Sequence, residues 1–350
     1  MTDIAQSILS ALDGHRQIAP PSDDDPGFSL EAAYAVSDAV MAARIARGER
    51  PCGWKIGFTN RTIWDEYGVH APIWGPMYRG TIRAFDPDHG AAVLDAGAFV
   101  EPRIEPEIVL RIARTPRAGM DDRELIACID AVAHGFEVVQ SIYPGWRFRA
   151  ADTVAAFALH GALVHGPLVA IDPHAPEWID RLGNFGITLF RDGEEVDRGI
   201  AQNVLGGPLS ALRHMAAGLE GQPMARGIEP GDLVTTGTVT RAFPVAAGET
   251  WHTRVDGIPV PDMRMRFADR AQERLDTLVA RAALARFRFE NPSSCRNQQD
   301  YQEAMSVGVE AETAISRMLF RDGERLAEAR REIERRAQMH ADAWNRRRDP

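Results

Sequence analysis

The chain has 350 residues, 45% of them hydrophobic, enough for one large domain or two ordinary ones with buried cores. Its net charge of −10 argues against nucleic acid as a main partner, and no apolar run approaches the ~18–20 residues that a membrane span needs. Three cysteines, Cys52, Cys128 and Cys295, lie far apart with no CxxC or Cys/His spacing, so neither a disulfide framework nor a zinc site is indicated.

The amino terminus, MTDIAQSILSALDGHRQ, lacks a basic start and a small-residue cleavage site. It reads as a short amphipathic helix, and a cytoplasmic protein is expected. Leu30–Ala46 is alanine-rich with apolar residues at helical spacing, and Ser29 is its predicted cap. Of 40 basic residues, 39 are arginine; the one lysine is Lys55. Burial and neighbours can tune a lysine ammonium, whereas a guanidinium keeps its proton. Lys55 is therefore a candidate for proton chemistry or for binding an anion.

From Lys55 to about Phe267 short β-rich runs alternate with Gly/Pro/Asp turns. Strands are predicted at 104–112, 136–142, 162–170, 185–190 and 233–239, and Asp192-Gly193 marks a hairpin. Helices are predicted at Asp121–His134, with Asp121 and Glu124 at capping-box spacing and Gly135 as the stop, and at Pro208–Leu219. Strands without regular helical alternation predict an α+β fold. Beyond 268 the chain is helical and highly charged. Apolar positions in Glu303–Phe320 and a second set from Leu326 to Trp344 predict a helical hairpin. Three parts are expected: 1–75, a helical amino-terminal part; 76–268, a metal-binding catalytic domain; and 269–350, a helical extension whose stripes pack on the catalytic domain or on a second copy of the chain. A homo-oligomer is the expected state.

The strand at 104–112 is the most informative segment. Side chains alternate across a strand, so Glu105 and Glu107 share a face opposite Ile104, Ile108 and Leu110. Adjacent carboxylates repel, and a hard divalent cation would compensate them. Glu137 is a third acid, set among Phe136, Val138 and Val139, where an unpaired charge is expensive. Together the three acids would make a magnesium-type site. The plainer alternatives are an exposed charged strand face and a strand-edge glutamate.

The ordered motifs GWKIGFTN (53–60), APIWGPM (71–77), EPRIEPEI (101–108), HGFEVVQS (134–141), DTVAAF (152–157), GGPLSAL (206–212) and GDLVTTGT (231–238) resemble the 2-keto-4-pentenoate hydratase and oxalocrotonate decarboxylase family, within the fumarylacetoacetate-hydrolase-like superfamily. The resemblance covers roughly residues 1–268. It implies a mixed β-sandwich-like roll with a helical amino-terminal portion. It implies Mg2+ or Mn2+ held by Glu105, Glu107 and Glu137, Lys55 close to a small 2-oxo acid substrate, and Thr236 and Thr238 on a substrate-contacting loop. Gln140 stands three residues after the third acid, where the family usually has an acid, and is placed with the substrate contacts. Where the family often reads ADNAS after its DT pair, this chain reads AAFAL (155–159). The implied activity is a hydro-lyase on a 2-oxo-alkenoate in a catabolic route. A 2-oxo acid decarboxylase or acylpyruvate-type hydrolase is the alternative on the same scaffold. A non-catalytic assembly module is the alternative of another class.

Overall fold

The computed structural model describes residues 2–346 apart from 62, 63, 68, 173–176 and 223–225. The chain divides into two compact units, 1–268 and 269–350.

In the first unit the helices are α1 (Thr2–Asp13), α2 (Pro21–Asp24), α3 (Leu30–Ala46), α4 (Trp64–Tyr67), α5 (Asp122–Ile126), α6 (Ala150–Ala155), α7 (Glu177–Gly183) and α8 (Pro208–Glu220). The strands are β1 (Pro51–Gly57), β2 (Ile73–Tyr78), β3 (Ile82–Ala84), β4 (Ala92–Asp95), β5 (Arg103–Ile112), β6 (Ile129–Val139), β7 (His160–His165), β8 (Val169–Ala170), β9 (Gly186–Arg191), β10 (Glu194–Ile200), β11 (Leu233–Thr238), β12 (Phe243–Pro244), β13 (Thr250–Asp256) and β14 (Arg264–Ala268). The larger sheet runs β2-β1-β11-β5-β6-β7-β3, with β12 beside β5 and β8 beside β6; the smaller runs β10-β9-β13-β14-β4. Both are mixed, since β1 with β11, β3 with β7 and β14 with β4 pair in parallel.

Two cores explain the layering. Ile104, Phe136 and Val138 of the larger sheet pack with Leu189, Trp251 and Phe267 of the smaller one, which makes a sandwich. A second cluster joins α1, α3, α6 and α8 to the larger sheet through Ile8, Val36, Val154, Leu212, Trp54 and Leu110. The expected α+β sandwich-like roll is what the structure has. Ser29 caps α3 by accepting from the Ala32 N–H, and Asp192 (φ 52°) and Gly193 (φ 90°) turn the β9–β10 hairpin.

The helix predicted at Asp121–His134 is a correction. The capping box is real, with Asp121 accepting from Glu124 N–H and Glu124 from Asp121 N–H, but the helix ends at Ile126. Residues 129–139 are one long strand paired with β5 along its length. Gly135 is no helix stop. A Cβ there would stand 2.8 Å from the Val164 carbonyl oxygen of β7. Sheet pairing overrode an alanine-rich sequence that reads as helix locally. The run predicted as one strand at 162–170 is broken into β7 and β8 around Pro167.

The second unit holds three helices, α9 (Arg270–Glu290), α10 (Gln298–Met318) and α11 (Gly323–Arg346), where a two-helix hairpin was expected. Leu275, Val279, Ala282 and Ala283 of α9 bury the two stripes, Ala311 and Ile315 on α10 and Ala329 and Ile333 on α11, with Leu319 just beyond α10. The stripes therefore have a partner inside this unit, and they give no reason for self-association. Among the described residues no helix is long and apolar enough to cross a membrane.

Candidate active site

Four neighbouring strands of the larger sheet bring the site together: β1, β11, β5 and β6. Lys55 on β1 pairs with Thr235 of β11, and Thr235 pairs with Val109 of β5. Glu105 of β5 lies directly opposite Glu137 of β6, and Glu107 opposite Gly135. Two like charges in direct cross-strand register destabilise a sheet. The compensation visible in the structure is Lys55, whose Nζ is 3.3 Å from Glu137 Oε2 and 3.8 Å from Glu105 Oε2.

The remaining contacts shape the carboxylates. Glu137 Oε1 accepts from His160 Nδ1–H at 2.8 Å, and His160 Nε2 pairs with the Thr81 hydroxyl at 2.9 Å. Glu137 Oε2 accepts from the Thr235 hydroxyl at 3.5 Å. Glu107 Oε2 accepts from the Gly237 N–H at 2.7 Å. Gly237 is required there. Its φ is 100°, and a Cβ would fall on Thr59 Oγ1 at 1.8 Å.

Burial and proximity set the protonation tendencies. Burial, with the Glu137 charge adding to it and Lys55 opposing, pushes Glu105 up to about 7. Burial and the two neighbouring carboxylates raise Glu107 well above the usual range. Burial also opposes ionisation of Glu137, but Lys55 and the His160 hydrogen bond outweigh it and hold this carboxyl low. Burial alone would lower Lys55; the charges of Glu137, Glu105 and Glu107 overcome it and keep the ammonium protonated. Burial holds the His160 ring below its usual range against the pull of Glu137.

The donor set fits a hard divalent cation. Oxygen atoms of Glu105, Glu107 and Glu137 all lie within 4.8 Å of one another. Glu107 Oε1 is buried and has no hydrogen-bond partner in the structure. A buried carboxylate oxygen without a partner is costly, and a cation among three carboxylates would satisfy it. All-oxygen ligands suit magnesium, manganese or calcium.

A pocket of about 610 Å³, counted out to open solvent, adjoins the cluster. Lys55, Thr59, Arg103, Glu105 and Thr238 line it, with apolar walls from Phe58, Val139, Trp146, Phe148, Ala158 and Leu159. Phe157, Ala158 and Leu159 all carry positive φ (57°, 50° and 64°). Such a run is strained and persists only where its surroundings impose it.

The structure therefore brings together Lys55, Glu105, Glu107, Glu137 and Thr238. It places two other expected residues elsewhere. The Thr236 hydroxyl donates to the Ile108 carbonyl, and Gln140 accepts from the Val100 N–H through Oε1; neither lines the pocket. Three contributors went unread in the sequence. A histidine or tryptophan among apolar neighbours reads as packing, yet His160 holds Glu137 and Trp146 lines the pocket. Arg103 carried a signal, since it continues the two-residue alternation of Glu105 and Glu107 on β5.

The chain is similar to the 2-hydroxyhexa-2,4-dienoate hydratase of Comamonas testosteroni, 29% identical over 257 residues, covering 72% of this chain and 92% of that one. It is similar to a 4-oxalocrotonate decarboxylase of Pseudomonas sp, 30% identical over 229 residues, 65% of this chain and 84% of that one. Among solved structures, the 4-oxalocrotonate decarboxylase from Pseudomonas putida G7, complexed with magnesium and adipate, superposes with a TM-score of 0.68 at 27% identity, covering 76% of this chain and 96% of that chain. The same enzyme complexed with calcium and acetate gives 0.66. Residues 70–266 match the family described as fumarylacetoacetate (FAA) hydrolase C-terminal, and the chain belongs to that family.

Proposed function

We propose that this chain is a metal-dependent hydro-lyase acting on a small 2-oxo-alkenoate in a catabolic route, with Glu105, Glu107 and Glu137 as metal ligands and Lys55 as the catalytic side chain. The carrying observation is the three-carboxylate cluster at the end of a largely apolar pocket, with a buried ammonium 3.3 Å from one of its members. The hydratase names of several relatives support the choice of reaction.

A bound divalent cation would supply Lewis-acid polarisation of the substrate's oxygens. The protein's own groups do the rest. Lys55 Nζ sits beside the cluster, where it can stabilise negative charge developing on the substrate and hold a proton for transfer to or from it. The Gly237 N–H and His160 fix the Glu107 and Glu137 carboxylates in one orientation. The walls formed by Val139, Phe148 and Leu159 limit the water beside the reacting carbons. Thr238 lines the pocket, its hydroxyl donating to the Thr240 carbonyl.

A second reading, a 2-oxo acid decarboxylase, has its own support in the relative and the solved structure of that name. One experiment separates them. Purified protein is incubated with magnesium and a panel of 2-oxo-alkenoates, and products are identified by mass. Gain of one water supports the hydro-lyase; loss of carbon dioxide supports the decarboxylase. No product with any member, in magnesium, would leave the assembly-module reading standing.

A further inference from the structure

We infer that Arg103 is the carboxylate-recognising residue of this pocket. It contacts the substrate through its guanidinium and thereby sets which 2-oxo acids are accepted. The inference deepens the proposed function and rests on it.

Arg103 opens β5 two residues before Glu105, so both side chains rise from the same face of the strand, with backbones about 7 Å apart at two residues' rise. Both line the pocket. Across the sheet Arg103 is registered with Val139, just as Glu105 is with Glu137. Moving one step along β5 and β6 thus leads from carboxylates to a cation beside an apolar wall.

Arg103 is partnered unlike the other basic groups at this site. Among the described residues its guanidinium makes no hydrogen bond and no ion pair, and its Nε is buried without a partner. Lys55, by contrast, is committed to Glu137 and Glu105. What holds Arg103 is the indole of Trp146, with the guanidinium carbon 4.1 Å from the ring centroid. Trp146 is itself fixed, its indole N–H donating to the Glu101 carbonyl at 3.0 Å. A guanidinium with one flat face on an aromatic ring still presents its N–H edge. A buried unpaired donor is expensive, and a planar anion answers it best. A carboxylate can take two parallel N–H bonds from an arginine fork, and the apolar neighbours Val139 and Phe148 strengthen that pairing by excluding water.

The anion has two possible sources on one substrate: the 2-oxo acid's own carboxylate, or a second carboxylate at the far end of its chain. A six-carbon chain spans about 6 Å between its terminal carbons, close to the spacing of Glu105 and Arg103 along β5, so both reach.

The test uses the magnesium-loaded full chain and its Arg103→Lys and Arg103→Met variants. Binding of pyruvate-type monocarboxylates and of 2-oxo diacids is measured by calorimetry, and kcat and KM are measured on substrates that turn over. Arg103→Met should weaken binding 10–100-fold and raise KM more than it lowers kcat, with the melting temperature and magnesium affinity near wild type. Arg103→Lys should recover only part, because a point charge lacks the fork. Equal losses for both ligand classes assign the residue to the substrate's own carboxylate; a loss confined to diacids assigns it to the distal one. Wild-type affinity of Arg103→Met for both classes would overturn the inference while leaving the proposed function intact. A wild-type protein that binds no 2-oxo acid would overturn both.

Discussion

His160 Nδ1 lies 2.8 Å from Glu137 Oε1, and the same imidazole reaches Thr81 with its other nitrogen at 2.9 Å. The His160 contact engages one carboxylate oxygen and leaves Oε2 to the Lys55 ammonium. A group that orients a metal ligand without touching the metal is expected to tune affinity by 10–100-fold. His160→Ala should weaken magnesium binding by about that factor in calorimetry, and His160→Gln, which keeps a donor, by less. Unchanged affinity in His160→Ala would reduce the contact to packing.

The three carboxylates repel one another when no cation is bound, which gives a second expectation. Glu107→Gln removes an acid whose ionisation burial and its neighbours oppose, yet keeps an acceptor for the Gly237 N–H. In excess chelator its melting temperature should equal or exceed wild type. With magnesium the order should reverse, because only the wild type retains the full ligand set. A variant that melts well below wild type in chelator would show that Glu107 is held by contacts other than a cation.

Metal removal follows from the same linkage. A ligand that binds only the folded state at a hundred times its Kd stabilises it by about 2.7 kcal/mol. Thermal melts should therefore rise by several degrees as magnesium is titrated into chelated protein, and should track its concentration. A flat response to magnesium, manganese and calcium alike would remove the case for a cation at this cluster.

Gly75 governs the strained stretch of pocket wall. A Cβ at this position would stand 2.5 Å from the backbone carbonyl of Phe157. That atom belongs to the left-handed run Phe157–Leu159 and cannot yield as a flexible side chain would. Gly75→Ala should cost about 1–3 kcal/mol in denaturant melts and lower activity more than stability alone explains. A fully stable and active variant would mean that the run is not pinned by β2.

The second unit carries its own core of leucine, valine, isoleucine and alanine. Residues 269–350 expressed alone should be helical by circular dichroism and unfold cooperatively. Ile315→Ala should lower that transition by about 2–5 kcal/mol. A featureless, non-cooperative melt of the isolated segment would contradict a core of this kind.

Local chemistry determined much of this protein from sequence alone. Ser29 and the alanine-rich periodicity defined α3, Asp192-Gly193 defined a hairpin, and the two-residue spacing of Glu105 and Glu107 put both carboxylates on one strand face. A single lysine among 40 basic residues pointed to Lys55. These features depend on interactions within a few residues, or on residue type, and so they are legible in a string. Pairing between distant segments was not. Residues 129–134 are helix-like by composition and become strand because β5 and β8 flank them. The direction of each polar group also depends on its neighbours: Thr236 and Gln140 turn their side chains to backbone partners, while His160 reaches the site from a position that local pattern ranks as ordinary. Arg270–Glu290 lies in a stretch that reads as helical, but it alternates charge with its apolar stripe, and only the packing of α10 and α11 against that stripe makes it a core.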